Sequence, residues 1–322
     1  MSKTTVSILT LNCFLRPPLV SRPGGEEKDV RARYISEELV PQFDVCTFQE
    51  CFGTFSDKRR KILVKGAQKL GYEAVHIKLG SRLGHRGIKL MDGGLLILSK
   101  FPISETDTLY YKSGLHSDKL AAKGVLYAQL IINENQTLHL FTTHTQASYH
   151  HKAQNKDIEI RKKQLSQLVA FVHKKTENFK DDPIVITGDF NMDALQPSCP
   201  EYDHIFQNLK KSSFVDAIME KHGKHLPTSV HYNYKVSTGE ECGSSLFRDD
   251  AAALLESGKE SEIQVETNSL TFWARQCLDF VFVRPGKNGI IDDANVRDFV
   301  PEKKQNWRQV SDHCGIDLRL TL

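Results

Sequence analysis

Short apolar runs punctuated by turn residues recur along the chain. They cover Val6–Leu11, Asp44–Phe48, Tyr72–Ile77, Gly94–Ser99, Val125–Ile132 and Leu138–Thr143. After a gap come Ile184–Thr187, Leu278–Val283, Val296–Phe299 and Gly315–Leu322. Each is rich in Val, Ile, Leu and Phe and bounded by Gly, Pro, Asn or Asp, the pattern of strands that bury their side chains. Helical periodicity is rarer. Over residues 155–177, Leu165, Leu168, Val169 and Val172 share one face at the i, i+3, i+4, i+7 spacing, and Pro183 with the next strand closes that helix. Residues 29–39 and 57–70 predict two more helices, the second ended by Gly71. Many strands with intermittent helices predict packed sheets with helices on their outer faces. The stretch from His222 to Asn268 breaks the pattern. It is polar, holds Ser and Gly clusters and mixes in Tyr232, Tyr234 and Phe247, so it reads as a surface insertion or a substrate-facing lobe.

Composition narrows the class. Of the 322 residues 39% are hydrophobic, enough for a full core, which excludes a disordered or collagen-like chain. Length alone suggests about two domains of roughly 150 residues. The formal charge of +3 supplies neither a broad basic field nor an acidic tail. The seven cysteines are scattered, several inside apolar runs, as in Asp44-Val45-Cys46-Thr47-Phe48. Buried thiols in a reducing compartment explain this better than a disulfide framework, and no Cys/His spacing suits zinc. No apolar run approaches the roughly 18 residues of a membrane span, and Met-Ser-Lys-Thr-Thr lacks a signal-peptide core. The expectation is a soluble, cytoplasmic chain without a transmembrane segment.

The candidate chemistry sits at strand ends. In Ile184-Val-Ile-Thr-Gly188-Asp189-Phe190-Asn191 a buried strand meets a glycine and then delivers a carboxylate and a carboxamide. Asp189 and Asn191 would share a face if the strand continued, although Gly-Asp and Asn also read as turn formers. Val310-Ser311-Asp312-His313-Cys314 precedes the terminal strand, and adjacent Asp312 and His313 point to opposite faces. Asp279 lies in an apolar strand, where a buried carboxylate needs a partner; His313 is a candidate, and so is a local cap. A histidine oriented by a carboxylate can serve as a general base. Glu50, Asn12 and His144 end three further apolar runs. A hard divalent cation prefers carboxylate and amide oxygens, which Glu50 and Asn12 provide, whereas His144 suits an oxyanion. Singly, each residue is more often a satisfied polar group at a strand end than a ligand, but five strand ends all carrying such residues point to chemistry. Lys123 is either a phosphate contact or an exposed lysine, and Arg161 on the 155–177 helix is likewise either a functional contact or a snorkelling residue. Trp273, Trp307 and the aromatics at 232–234 are core residues or a lipid contact.

The ordered set Asn12, Glu50, His144, Asp189-x-Asn191, Asp279 and Asp312-His313 resembles the endonuclease/exonuclease/phosphatase superfamily. The resemblance implies a four-layer α/β (α+β) sandwich of two packed, mainly antiparallel β-sheets flanked by helices. It also implies one catalytic domain over 1–322, with an insertion at 222–268. Within the superfamily the chain is similar to the neutral sphingomyelinase branch. The features are Leu11-Asn12-Cys13-Phe14-Leu15-Arg16-Pro17-Pro18, Gln49-Glu50-Cys51-Phe52, Gly93-Gly94-Leu95, Ser99-Lys100-Phe101-Pro102-Ile103, Lys123-Gly124-Val125-Leu126 and Thr143-His144-Thr145-Gln146-Ala147.

That resemblance implies a Mg²⁺-dependent phosphodiesterase, with Mn²⁺ as a substitute ion. It would hydrolyse sphingomyelin or a related choline phospholipid to ceramide and phosphocholine. Glu50 and Asn12 would hold the metal, and His313, oriented by Asp279, would activate water. Asn191 and His144 would stabilise developing charge, Asp189 would position water or assist the leaving group, and Asp312 would join the metal or hydrogen-bond network. Lys123 would bind substrate. The partner would be a phospholipid at a membrane surface, met peripherally by a monomer with no stable nucleic-acid partner. A nuclease or phosphoinositide phosphatase on the same scaffold is the alternative, and an inactive binding module is a third. The weak net charge disfavours a nuclease that grips duplex DNA.

Overall fold

A computed structural model describes residues 3–17, 27–54, 57–78, 90–148, 155–232, 273–299 and 310–322. Its strands begin with β1 (Thr5–Asn12), β2 (Val45–Gln49), β3 (Glu73–His76), β4 (Met91–Asp92), β5 (Leu96–Ser99) and β6 (Ile103–Tyr110). Next come β7 (Ala121–Ala122), β8 (Gly124–Asn133), β9 (Gln136–His144), β10 (Ile184–Asp189) and β11 (Val215–Asp216). β12 (Ser229–Tyr232), β13 (Trp273–Gln276), β14 (Asp279–Arg284), β15 (Ile290–Arg297) and β16 (Gly315–Thr321) complete the set. The helices are α1 (Lys28–Tyr34), α2 (Lys58–Lys69), α3 (Asn155–Thr176), α4 (Pro200–Lys210) and α5 (Ala217–His222).

Two six-stranded sheets dominate, ordered β15-β16-β1-β2-β5-β3 and β11-β14-β10-β9-β8-β6. Each has one parallel pair at its centre, β1 with β2 and β9 with β10, and every other pairing in it is antiparallel. The parallel pairs follow from helical crossovers, α1 between β1 and β2, and α3 between β9 and β10.

The apolar runs are continuous because the central strands bury both faces. In β10, Val185 faces the other sheet, while Ile184 and Ile186 face the outer helices. In β14, Val281 and Val283 go inward and Phe280 and Phe282 outward. The inter-sheet core joins Val6, Ile8 and Leu318 to Leu126, Leu140 and Val281. A second cluster packs Leu9, Leu11, Phe48 and Leu98 under Ala32, Ile35, Leu63 and Ala67. A third packs Tyr127, Phe141 and Phe282 under Leu165, Leu168, Val172, Ile205 and Leu209. The order helix, sheet, sheet, helix is the four-layer sandwich expected from the motifs.

Differences from the sequence reading lie at edges. β6 is a polar edge strand, with Ser104, Glu105, Thr106 and Asp107 exposed, so it carries no apolar signal. β15 starts at Ile290, well before the expected Val296, and an irregularity between Ile291 and Asp293 disturbs its alternation. Helix α1 continues through a π turn, Ile35–Leu39, into a 3-10 turn at Val40–Gln42, so the expected 29–39 helix is a compound one. The expected insertion at 222–268 includes the strand β12, paired antiparallel with β13, while residues 233–268 lie outside the described residues. Cys13, Cys46, Cys51 and Cys277 are buried free thiols; Cys199 and Cys314 are partly buried. Cys242, Tyr234, Phe247 and Trp307 fall outside the described residues, as do the side chains of Tyr232 and Trp273.

Candidate active site

Strand direction dictates where the polar residues meet. In a parallel pair both carboxyl ends lie at the same sheet edge, and an antiparallel neighbour brings its amino end to that edge. Asn12 and His144 therefore end β1 and β9, Asp189 ends β10, and Glu50 follows β2. Asp279 begins β14, and Asp312 and His313 lead into β16. In the ladder, Asp189 is in register with both His144 and Asp279, so three candidate side chains form one row across the sheet. The sheets are joined at this edge by polar contacts: Asn12 Nδ2 donates to Asp189 Oδ2 at 2.9 Å, and Gln49 Nε2 to Thr142 Oγ1 at 3.0 Å.

His313 is buried, with Nδ1 2.8 Å from Asp279 Oδ2 and Nε2 4.0 Å from Asp189 Oδ2. Burial opposes the imidazolium, but the Asp279 carboxylate and its hydrogen bond, with Asp189 and Asp312 behind, push the pKa up to about 10. Thr228, which precedes β12, completes the arrangement. Its hydroxyl donates to Asp279 Oδ2 at 2.7 Å and accepts from the amides of Leu278 and Asp279, each at 3.0 Å. Nothing in the local sequence marks Thr228, because it precedes a polar stretch and its partners come from β14. Asp312 is partly buried; Ser311 Oγ donates to its carboxylate at 3.4 Å, and it reaches His313 through charge alone among the described contacts.

Asp189 is the hub. Its Oδ1 accepts the Asn191 amide at 2.9 Å, closing a turn that ends β10, so Asn191 sits at φ 50° instead of extending the strand. Asn191 Nδ2 reaches Thr145 O at 3.4 Å. His144 Nε2 lies 3.5 Å from Asp189 Oδ2 and 3.1 Å from Lys123 Nζ. Burial and then the Lys123 charge lower the His144 pKa to about 4, so the ring is neutral at physiological pH. Lys123 is buried, contrary to the exposed alternative. Its ammonium reaches Asp118 Oδ2 at 3.0 Å and Thr145 O at 2.6 Å as well as His144. Asp118 also accepts the Ala147 amide at 2.8 Å, and so joins Lys123 to the segment after His144.

Glu50 is held by a two-pronged contact: Arg16 Nε to Oε2 at 2.8 Å and Nη2 to Oε1 at 3.2 Å. Burial alone would raise its pKa, but Arg16, with His144 and Lys123 adding charge, holds the carboxyl below its usual range. Glu50 has φ 57°, and Gly94 packs against it so closely that a Cβ would stand 3.1 Å from Glu50 Cα. Arg161 does not snorkel. It is 1% exposed, donates to Glu201 at 2.7 and 3.0 Å, and holds Gln146 O and Ser148 Oγ at 3.1 and 2.8 Å. That helix residue thereby braces the segment following His144.

One donor set suits a cation. Asp189, Asp279 and His313 each offer a ligand atom, and these lie within 4.8 Å of one another. Asp279 Oδ1 is buried with no hydrogen-bond partner among the described residues, and carboxylates with imidazole suit a divalent metal. Asn12 adjoins this set through Asp189 itself, and Glu50 stands outside it, held by Arg16 and within the charge field of His144. No described helix is long and apolar enough to cross a membrane.

The model of the Endonuclease/Exonuclease/phosphatase family matches residues 9–313. A sphingomyelinase of Dictyostelium discoideum is 35% identical over 183 residues, covering 49% of this chain and 39% of that protein. Sphingomyelinase C 2 of Leptospira interrogans is 32% identical over 226 residues, covering 65% and 34%. Phospholipase C of Staphylococcus aureus is 34% identical over 225 residues, covering 66% and 64%. The chain thus spans between 34% and 64% of the length of these relatives. Among solved structures, S. aureus beta toxin superposes with a TM-score of 0.68 at 20% identity, covering 97% of this chain and 99% of the toxin. A mutant of that toxin with bound magnesium ions gives 0.62 at 20%, covering 98% and 99%. D. rerio TDP2 complexed with single-strand DNA product gives 0.61 at 15%, covering 98% and 99%. At these identities the structural likeness is one of fold. Because the family model takes in every strand end that carries the site, from Asn12 to His313, the chain belongs to the Endonuclease/Exonuclease/phosphatase family.

Proposed function

We propose that this chain is a metal-dependent phosphodiesterase that hydrolyses sphingomyelin, or a related choline phospholipid, to ceramide and phosphocholine at a membrane surface. The observation that carries the reading is the meeting of His313–Asp279, Asp189, Asn191 and His144 at one sheet edge. The sphingomyelinase and phospholipase C names of the relatives supply the substrate class.

Glu50, with Asn12, would hold Mg²⁺ or Mn²⁺, which supplies a Lewis acid for a phosphoryl oxygen and a positive charge that opposes protonation of His313. In its neutral form His313 takes a proton at Nε2 from the attacking water. Asp279 fixes the ring through Nδ1 and stabilises the imidazolium that results. Asp189, between the two histidines, orients that water or assists proton delivery to the leaving oxygen. Asn191 and His144 stabilise the charge that develops on the phosphoryl oxygens. Lys123 adds positive charge beside His144, and Asp312 adds to the field on His313.

The test is a parallel incubation of the protein and Mg²⁺ with sphingomyelin vesicles, phosphoinositide vesicles and plasmid DNA. Phosphocholine release that EDTA abolishes is the expected result. Cleavage of DNA or phosphoinositide alone would replace the substrate class, and no hydrolysis of any of them would leave a binding module.

A further inference from the structure

The turn after β1 is built around Arg16. Asn12 Oδ1 accepts the amide of Phe14 at 3.0 Å, and Phe14 sits at φ 50°, a left-handed conformation unfavourable for an aromatic residue. Buried Arg31 clamps the same turn, donating to the carbonyls of Cys13 and Phe14 at 3.1 and 2.9 Å and of Val310 at 2.8 Å. The result is a Phe14 ring lying 4.8 Å from the Arg16 guanidinium, which is thereby aimed at Glu50. Both Glu50 oxygens are engaged, in the planar fork geometry that Lys could not reproduce. Asn12 and Glu50, the residues read above as metal-holding, are therefore linked through the turn that places this guanidinium.

We propose that Arg16 sets the site's affinity for its divalent cation by competing for the Glu50 carboxylate. The inference rests on the reading of Glu50 as a metal ligand. A cation that takes Glu50 must displace or share the guanidinium, and it feels the repulsion of a permanent positive charge beside it. Arg16 thus lowers occupancy at low metal concentration, and the site fills only when the cation is abundant. No covalent change is involved; the carboxylate exchanges one positive partner for another.

Calorimetric titration of the full chain with Mn²⁺, and separately Mg²⁺, tests this without reference to turnover. Arg16→Gln is expected to bind on the order of tenfold more tightly than the parent, the scale at which groups surrounding a metal site tune it. Arg16→Lys, which keeps the charge and loses the fork, should fall between the two. Unchanged or weaker binding by Arg16→Gln, with the circular-dichroism spectrum and melting profile retained, would overturn the proposal. Should Arg16→Gln fail to fold, an Arg16→Lys affinity equal to the parent's would overturn it too. Glu50→Gln separates the two readings: if it binds metal as the parent does, Glu50 is no ligand, and the metal assignment falls before Arg16 is at issue.

Discussion

His313 Nδ1 and Asp279 Oδ2 stand 2.8 Å apart, joining the residues that lead into one sheet to the first residue of a strand in the other. The pair fixes the ring and also its charge, because Asp279 raises the His313 pKa. If His313 acts as a base, activity should climb as pH rises and the imidazolium loses its proton. Asp279→Asn removes the charge that favours the imidazolium, so the ascending limb of the kcat/KM profile should move to lower pH while the maximum falls. A limb that stays in place would exclude His313 as the group that titrates. His313→Ala should lose about 10²–10⁴ in rate.

Glu50→Gln removes a carboxylate charge from the edge where the cation is expected. The Mg²⁺ concentration needed for half-maximal activity should rise. An unchanged metal titration would transfer the metal to the Asp189, Asp279 and His313 set.

Asp118 and Lys123 form a buried ion pair with side chains 10% and 6% exposed. Asp118→Ala would strand an ammonium in a dry site and should cost about 3–5 kcal/mol in denaturant unfolding. Lys123→Met strands the Asp118 carboxylate in the same way and should cost a comparable amount, whereas the double variant Asp118→Ala with Lys123→Met leaves neither charge and should lose less than the sum of the two. A double-variant loss equal to the sum of the single losses would mean that the two charges are not coupled.

Gly188 holds a conformation at φ 141°, and a Cβ there would stand 2.1 Å from Thr143 O. The parallel pairing of β9 and β10, and with it the His144–Asp189 alignment, requires that close approach. Gly188→Ala should destabilise the fold by about 2–4 kcal/mol, measured by chemical unfolding. Near-native stability and activity would show that the two strands can separate without disturbing the row.

The legible parts of this molecule are those where a residue's neighbours in sequence determine its environment. Ile184-Val185-Ile186 declares a strand buried on both faces, and the Gly188-Asp189 step declares its end. Asp279 within an apolar run already demanded a partner, and His313 occupies that place. The parts that were hidden depend on distant partners. Arg16 meets Glu50 across 34 residues, Arg161 meets Glu201 across 40, and Thr228 meets Asp279 across 51. None of these pairs leaves a local pattern. The strand β6 was hidden for another reason, since an edge facing water has no need of alternation.

The antiparallel pairing of β16 with β1 places Ser311 against the carbonyl of Asn12, 299 residues away in the chain. During synthesis, Glu50, His144 and Asp189 emerge long before His313. A nascent chain that has not yet reached Ser311 and His313 thus holds most of the candidate site's groups without its last histidine. On the proposed reading, a chain still in synthesis cannot complete the site, whose last group arrives only as β16 closes the sheet beside β1.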